Sequence, residues 1–130
     1  MSSTANKLSN LDSALAHLAD VVDQRRDAFL AGKADPKTSY TALLFSKGDD
    51  GILKKIGEEA TETVMAAKDV RSSNLSSEQK KLFVGEMADL WFHCLIALSQ
   101  FELRPRSEEH TSVLQSHSFI FVCRLLLEKK

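Results

Sequence analysis

Cysteine is scarce in this chain. Only Cys94 and Cys123 occur among 130 residues, and no C-x-x-C spacing links them. Neither a disulfide framework nor a zinc site is indicated, and a reduced, cytoplasmic setting is expected. An excess of one charge is also missing: 17 Lys and Arg stand against 18 Asp and Glu, a net charge of −1. That excludes the basic footprint of a nucleic-acid binder and the polybasic patch of a membrane-surface protein. No uninterrupted apolar run approaches the roughly 20 residues that cross a bilayer. The start, MSSTANKLSN, lacks the charged-then-apolar order of a secretory signal. Neither nucleic acid nor membrane is therefore expected as a partner. Internal repeats, low-complexity segments and convincing strand patterns are absent as well.

What remains is the pattern of helices. Leu8, Leu11, Leu15, Leu18 and Val22 recur at steps of three and four within residues 5–31, with Gly32 placed to end the helix. Residues 32–39, GKADPKTS, read as a linker, since Pro36 disfavours helical geometry at Asp35. YTALLFS (40–46) reads as a short helix and KGDDG (47–51) as a turn. Asp50 is then the expected N-cap of a helix carrying Ile52, Ile56, Ala60, Val64 and Ala67. RSSNLSS interrupts the pattern. Ser76 with Gln79 reads as a capping box that opens a long helix through Leu82, Leu90, Ile96 and Phe101. The expected fold is all-α, an antiparallel helical bundle in a single domain over residues 1–105.

From residue 106 the character changes. RSEEHTSVLQSH has no helical stripe, and SFIFVCRLLLEKK is apolar all round, so it reads equally as a buried helix or a strand. RSEEHTSVLQS also resembles the in-frame translation of a common sequencing-library adapter, departing only at Val113, where Glu is expected. Residues 106–130 are therefore read as a non-native tail.

The densest chemistry lies in LKKIGEEATETVMAAKD, residues 53–69. Residues three apart share a helix face, so Glu59 and Glu62 point together, as do Glu86 and Asp89 on the next long helix. Antiparallel packing of these helices can bring four carboxylates to one place. Two like charges about 4 Å apart repel by about 4 kcal/mol at an effective dielectric of about 20. Such a group either takes up protons or holds a cation. Oxygen-only donors favour a hard ion, Mg²⁺ or Mn²⁺ rather than zinc, and such ions serve phosphate chemistry. Lys54 and Lys55 precede the acids by one turn, Lys68 follows Glu62, and Lys47 lies in the preceding turn. These lysines are candidates to ground the outer phosphates of a polyphosphate. Glu58 sits about 100° round the helix from Glu59 and either orients water or faces solvent.

A plainer reading stands beside this one, because Glu at i and i+3 also occurs on solvated helix faces and Lys54 and Lys55 on ordinary surface. His93 reads as a hydrogen-bonded packing residue, and Trp91, Phe92 and Phe101 as core, one of them able to line a base pocket. Cys94 reads as a small buried hydrophobe. His17 has no acid or cysteine at ligand spacing and is given no function.

Glu58-Glu59-x-x-Glu62 followed by Glu86-x-x-Asp89 resembles the signature of the all-α NTP pyrophosphatases, the MazG-like superfamily. Within it, DPKTSYTALLFSKGDDGILKKIGEEATETVMAAKD and GEMADLWFHCLIAL resemble the phosphoribosyl-ATP pyrophosphatase family of histidine biosynthesis over residues 8–105. The resemblance implies a helical bundle, assembled as a homodimer, that hydrolyses phosphoribosyl-ATP to phosphoribosyl-AMP and pyrophosphate. It implies that Glu59, Glu62, Glu86 and Asp89 hold the metal, with Glu58, Glu59 and Glu62 as catalytic acids. Two other readings remain: a housekeeping (d)NTP pyrophosphatase of the same superfamily, and a non-catalytic helical interaction module.

Overall fold

The computed structural model describes residues 2–105, with side chains from residue 14 onward. The expected tail, 106–130, lies outside the described residues, as do the side chains of Leu8 and Leu11. Four helices follow one another: α1 (Ser2–Leu30), α2 (Tyr40–Ser46), α3 (Gly48–Ser72) and α4 (Ser77–Gln100). The described residues contain no strand, and the fold is the expected all-α bundle.

Each boundary has a local cause. Gly32, at φ +69°, ends α1, and the amides of Gly32 and Lys33 return to the carbonyls of Phe29 and Ala28. This is the Schellman closure that favours glycine. Ser39 caps α2, its hydroxyl accepting the amide of Ala42 at 3.3 Å. Ser76 caps α4 by accepting the amide of Gln79, also at 3.3 Å. The expected capping box is only half present, because the Ser76 amide goes to the Ser73 hydroxyl instead.

KGDDG is not a turn, and Asp50 is not an N-cap. Gly48 adopts φ +66°, so Lys47 alone separates α2 from α3 and the new helix starts at Gly48. Asp49 and Asp50 lie in the first turn of α3, where their charges suit the positive end of the helix dipole. Asp49 also accepts a hydrogen bond from the side-chain amide of Gln100, at 2.7 Å. The start of α3 thus meets the end of α4, and Thr63 meets Glu86 further along. The two long helices are antiparallel.

The core sits at the Gly48 end of this pair. Val22, Leu44, Phe45, Ile52, Ile96 and Ala97 are buried together, with Phe29, Ile56, Phe92 and Leu95 packed on them. Among the described side chains of the α1 stripe, Val22 is buried in this core, whereas Leu15 and Leu18 are exposed. Trp91 and Phe101, expected in the core, are exposed. Trp91 lies on α4, and Phe101 lies just past its end. At the other end of the α3–α4 pair, Val64, Met65, Leu82 and Val84 are also exposed. Although the sequence has no long uninterrupted apolar run, α4 averaged over its length is long and apolar enough to cross a membrane. The core helix of a soluble protein passes the same test.

Candidate active site

The acids meet midway along the α3–α4 pair. Glu59, buried on α3, Glu62, exposed on α3, and Glu86, half-buried on α4, each bring a carboxylate oxygen within 4.8 Å of the others. Asp89 stands outside this group and is exposed. Three residues advance a helix by about 300°, which leaves Asp89 turned toward solvent relative to Glu86. Its charge is still felt. Desolvation first, then the charges of Glu62, Asp89 and Glu59, push the Glu86 carboxyl above its ordinary value.

Behind the acids runs a set of hydrogen bonds. Thr63, buried one residue after Glu62, places its hydroxyl 2.7 Å from the Glu59 carbonyl and 3.2 Å from that of Glu86. One side chain thus ties together the backbones of two acid-bearing turns. His93 is buried, and its Nδ1 lies 2.8 Å from the carbonyl of Asp89. A carbonyl only accepts, so Nδ1 carries hydrogen. In the neutral ring Nε2 then accepts from the Tyr40 hydroxyl at 3.1 Å. His93 Nδ1 also lies 3.8 Å from Glu59 Oε1. His93 is therefore the hydrogen-bonded packing residue expected, set directly behind an acid. The sequence reading missed Thr63 and Tyr40. The i+4 step from Glu59 to Thr63 was the available signal.

The lysines divide into two groups. Lys55 Nζ lies 2.6 Å from Glu59 Oε1 and 3.1 Å from Glu58 Oε2, while Lys54 approaches Glu58 at 3.6 Å. The bonds to Glu59 and Glu58 raise the Lys55 ammonium well above its ordinary value, and Lys55 in turn lowers the Glu58 carboxyl. Glu58 thus faces its two lysines rather than the acid group. Lys47 and Lys68 are exposed and make no ion pair among the described residues. An open cleft of about 230 Å³ borders Glu62 and Glu86, lined also by Met65, Asp69, Gln79 and Leu82. A larger hollow of about 470 Å³, lined by Arg26, Phe29 and Phe101 among others, contains none of these acids.

Cys94 is half-buried, and desolvation pushes its thiol up, away from the reactive thiolate.

The phosphoribosyl-ATP pyrophosphohydrolase family matches residues 15–113, which take in the described acids, lysines and hydrogen-bond partners of the site. The chain belongs to this family. Among its relatives, a phosphoribosyl-ATP pyrophosphatase of Ralstonia pickettii is 53% identical over 95 residues, 73% of this chain and 74% of that protein. One of Burkholderia mallei is 55% identical over 97 residues, 75% of this chain and 71% of that protein. Membership selects the phosphoribosyl-ATP enzyme over the two other readings that the acids alone left open. The acid group can hold a metal ion: its donors are all oxygen and they converge, with the Glu86 carboxyl raised by desolvation and then by its neighbours' charges.

Proposed function

We propose that this chain hydrolyses phosphoribosyl-ATP between its α and β phosphates, releasing phosphoribosyl-AMP and pyrophosphate. The observation that carries the reading is the convergence of Glu59, Glu62 and Glu86 in a chain of this family. These three would hold a divalent cation, Mg²⁺ or Mn²⁺, and the charge of Asp89 adds to the field at Glu86. The bound ion supplies a Lewis acid that neutralises charge developing on the phosphoryl oxygens.

The protein groups do the positioning. Thr63 ties the backbone of α3 at Glu59 to that of α4 at Glu86, and His93 packs behind Glu59. In the reaction, water oxygen bonds to phosphorus as the α–β anhydride bond breaks, and the departing oxygen stays with pyrophosphate. Glu62, the exposed acid of the group, is placed to take the water's proton to solvent, while Glu58 stays paired with Lys54 and Lys55. Lys54 and Lys55 take the pyrophosphate end as point charges, and Lys47 extends that side toward the α2–α3 joint. The nucleoside end lies toward the cleft at Met65, Gln79 and Leu82.

The exposed apolar residues Val64, Met65, Leu82, Val84 and Trp91 on α3 and α4 support assembly as a homodimer. The pathway's soluble substrate supports a cytoplasmic setting. The catalytic unit is assigned to residues 1–105 and a non-native tail to 106–130. Replacing 106–130 with a family-like segment is expected to keep or raise activity, and complete loss on replacement counts against that division. The substrate is tested with a panel of phosphoribosyl-ATP, dCTP and dUTP. Preference for phosphoribosyl-ATP is expected; preference for a dNTP overturns the substrate assignment.

A further inference from the structure

Lys55 occupies a position that the metal reading does not explain. Its ammonium lies 2.6 Å from Glu59 Oε1, an oxygen of the very group that would ligate a cation. Mg²⁺ ligands sit at about 2.0–2.1 Å, so an ion on that oxygen and an ammonium beside it would be like charges in near contact. They cannot share it without strong repulsion. Glu58 offers the lysine another place. Its Oε2 is 3.1 Å from Lys55 Nζ, and Glu58 stands outside the converging acids.

Resting on the metal site proposed above, we infer that Lys55 is the built-in counter-ion of Glu59 in the metal-free protein and yields that oxygen when a divalent cation enters. Lys55 keeps Glu58 as its anchor, and the part of its ammonium that leaves Glu59 becomes available to a phosphate. This gives Glu58 a role distinct from ligation: it parks the displaced lysine beside the site. Because each event favours the other, metal and phosphate bind with positive coupling through one side chain, and the coupling is reciprocal. Lys54 does not do this. It is 77% exposed at its side chain and, among the described residues, reaches only Glu58.

The experiment titrates Mn²⁺ alone into the full chain and into the variants Lys55→Met and Lys54→Met, following free Mn²⁺ by electron paramagnetic resonance. Each variant removes one positive charge, and Lys54 serves as the control that has no contact with Glu59 among the described residues. Removing the competitor of Glu59 is expected to tighten Mn²⁺ binding by about tenfold in Lys55→Met, within the usual range of coupling between sites. Lys54→Met is expected to change it by less than about threefold. As a second measurement, Lys55 carrying ¹⁵N at Nζ is followed by NMR as Mg²⁺ is added, and its resonance is expected to shift as Glu59 is released. Equal effects in the two variants, weaker binding in Lys55→Met, or an unmoved Lys55 resonance on saturation overturns the exchange while leaving the metal site standing. Failure of the parent chain to bind Mn²⁺ overturns both.

Discussion

The hydroxyl of Thr63 gives the most direct structural test, because one group spans the two helices that carry the acids. Thr63→Val removes it and leaves a side chain of nearly the same outline. The lost bonds run to the Glu59 carbonyl at 2.7 Å and to the Glu86 carbonyl at 3.2 Å, the latter the cross-helix link. A hydroxyl carries a single hydrogen, so the two do not add as full bonds. Both carbonyls keep their own helical amide partners, so neither becomes an orphan. The expected loss is therefore the net worth of one neutral hydrogen bond, about 1 kcal/mol, or about 4 °C in melting temperature for a chain of this length. Mn²⁺ affinity is expected to fall as well, because the registration of Glu59 with Glu86 loosens. Urea denaturation of the metal-free protein gives the stability change, and Mn²⁺ titration the affinity. An unchanged midpoint would show that the bridge carries no weight. A loss beyond about 3 kcal/mol would mean that Val leaves a packing fault rather than a missing bond.

Other outcomes follow from the charges. Glu59→Gln and Glu86→Gln are expected to remove hydrolysis while circular dichroism still reports the helical fold; parent-like turnover in both would refute the acid site. In metal-free protein the Glu86 carboxyl is raised above its ordinary value of 4.5. The folded state therefore holds that proton longer than the unfolded state, and this contribution to stability falls as pH rises through the window above 4.5. Glu58 is lowered, so its contribution is present above 4.5 and lost as pH falls. Melts of parent and Glu86→Gln across this range separate the two, since the variant is expected to lack the decline with rising pH and to melt higher at neutral pH. A variant with an unaltered pH profile would contradict the crowding of Glu86. Tyr40→Phe removes the partner of His93 Nε2, and a stability loss of about 1 kcal/mol or less is expected, since Tyr40 is half open to water; a larger loss would mean the hydroxyl has another role.

Much of this arrangement was legible in the residues, and each failure has its own physical cause. The extent of α2 was readable from the run YTALLFS after a linker, because helix boundaries are set by local residues. The same holds for Ser76 and α4. The pairing of Glu59 with Glu62 followed from helical period alone. Whether Asp89 joins Glu86 depends on how α4 is rotated against α3, and the period of one helix does not contain that angle. Trp91 was misplaced for the same reason. The α2–α3 joint was misread because a glycine at positive φ can turn the chain in one residue where composition suggests five. Lys55 was legible as a neighbour of the acids, but its bond to Glu59 depended on side-chain reach and on which acid is buried.

The central claim is that converging carboxylates serve a metal-dependent cleavage of phosphoribosyl-ATP. Pyrophosphate release by the purified chain, measured with Mg²⁺ and again with EDTA, tests it most directly. Release with Mg²⁺ that stops with EDTA is the predicted result. Release that continues undiminished in EDTA would contradict the metal role of Glu59, Glu62 and Glu86, and no release from a folded chain under either condition would contradict the assigned reaction.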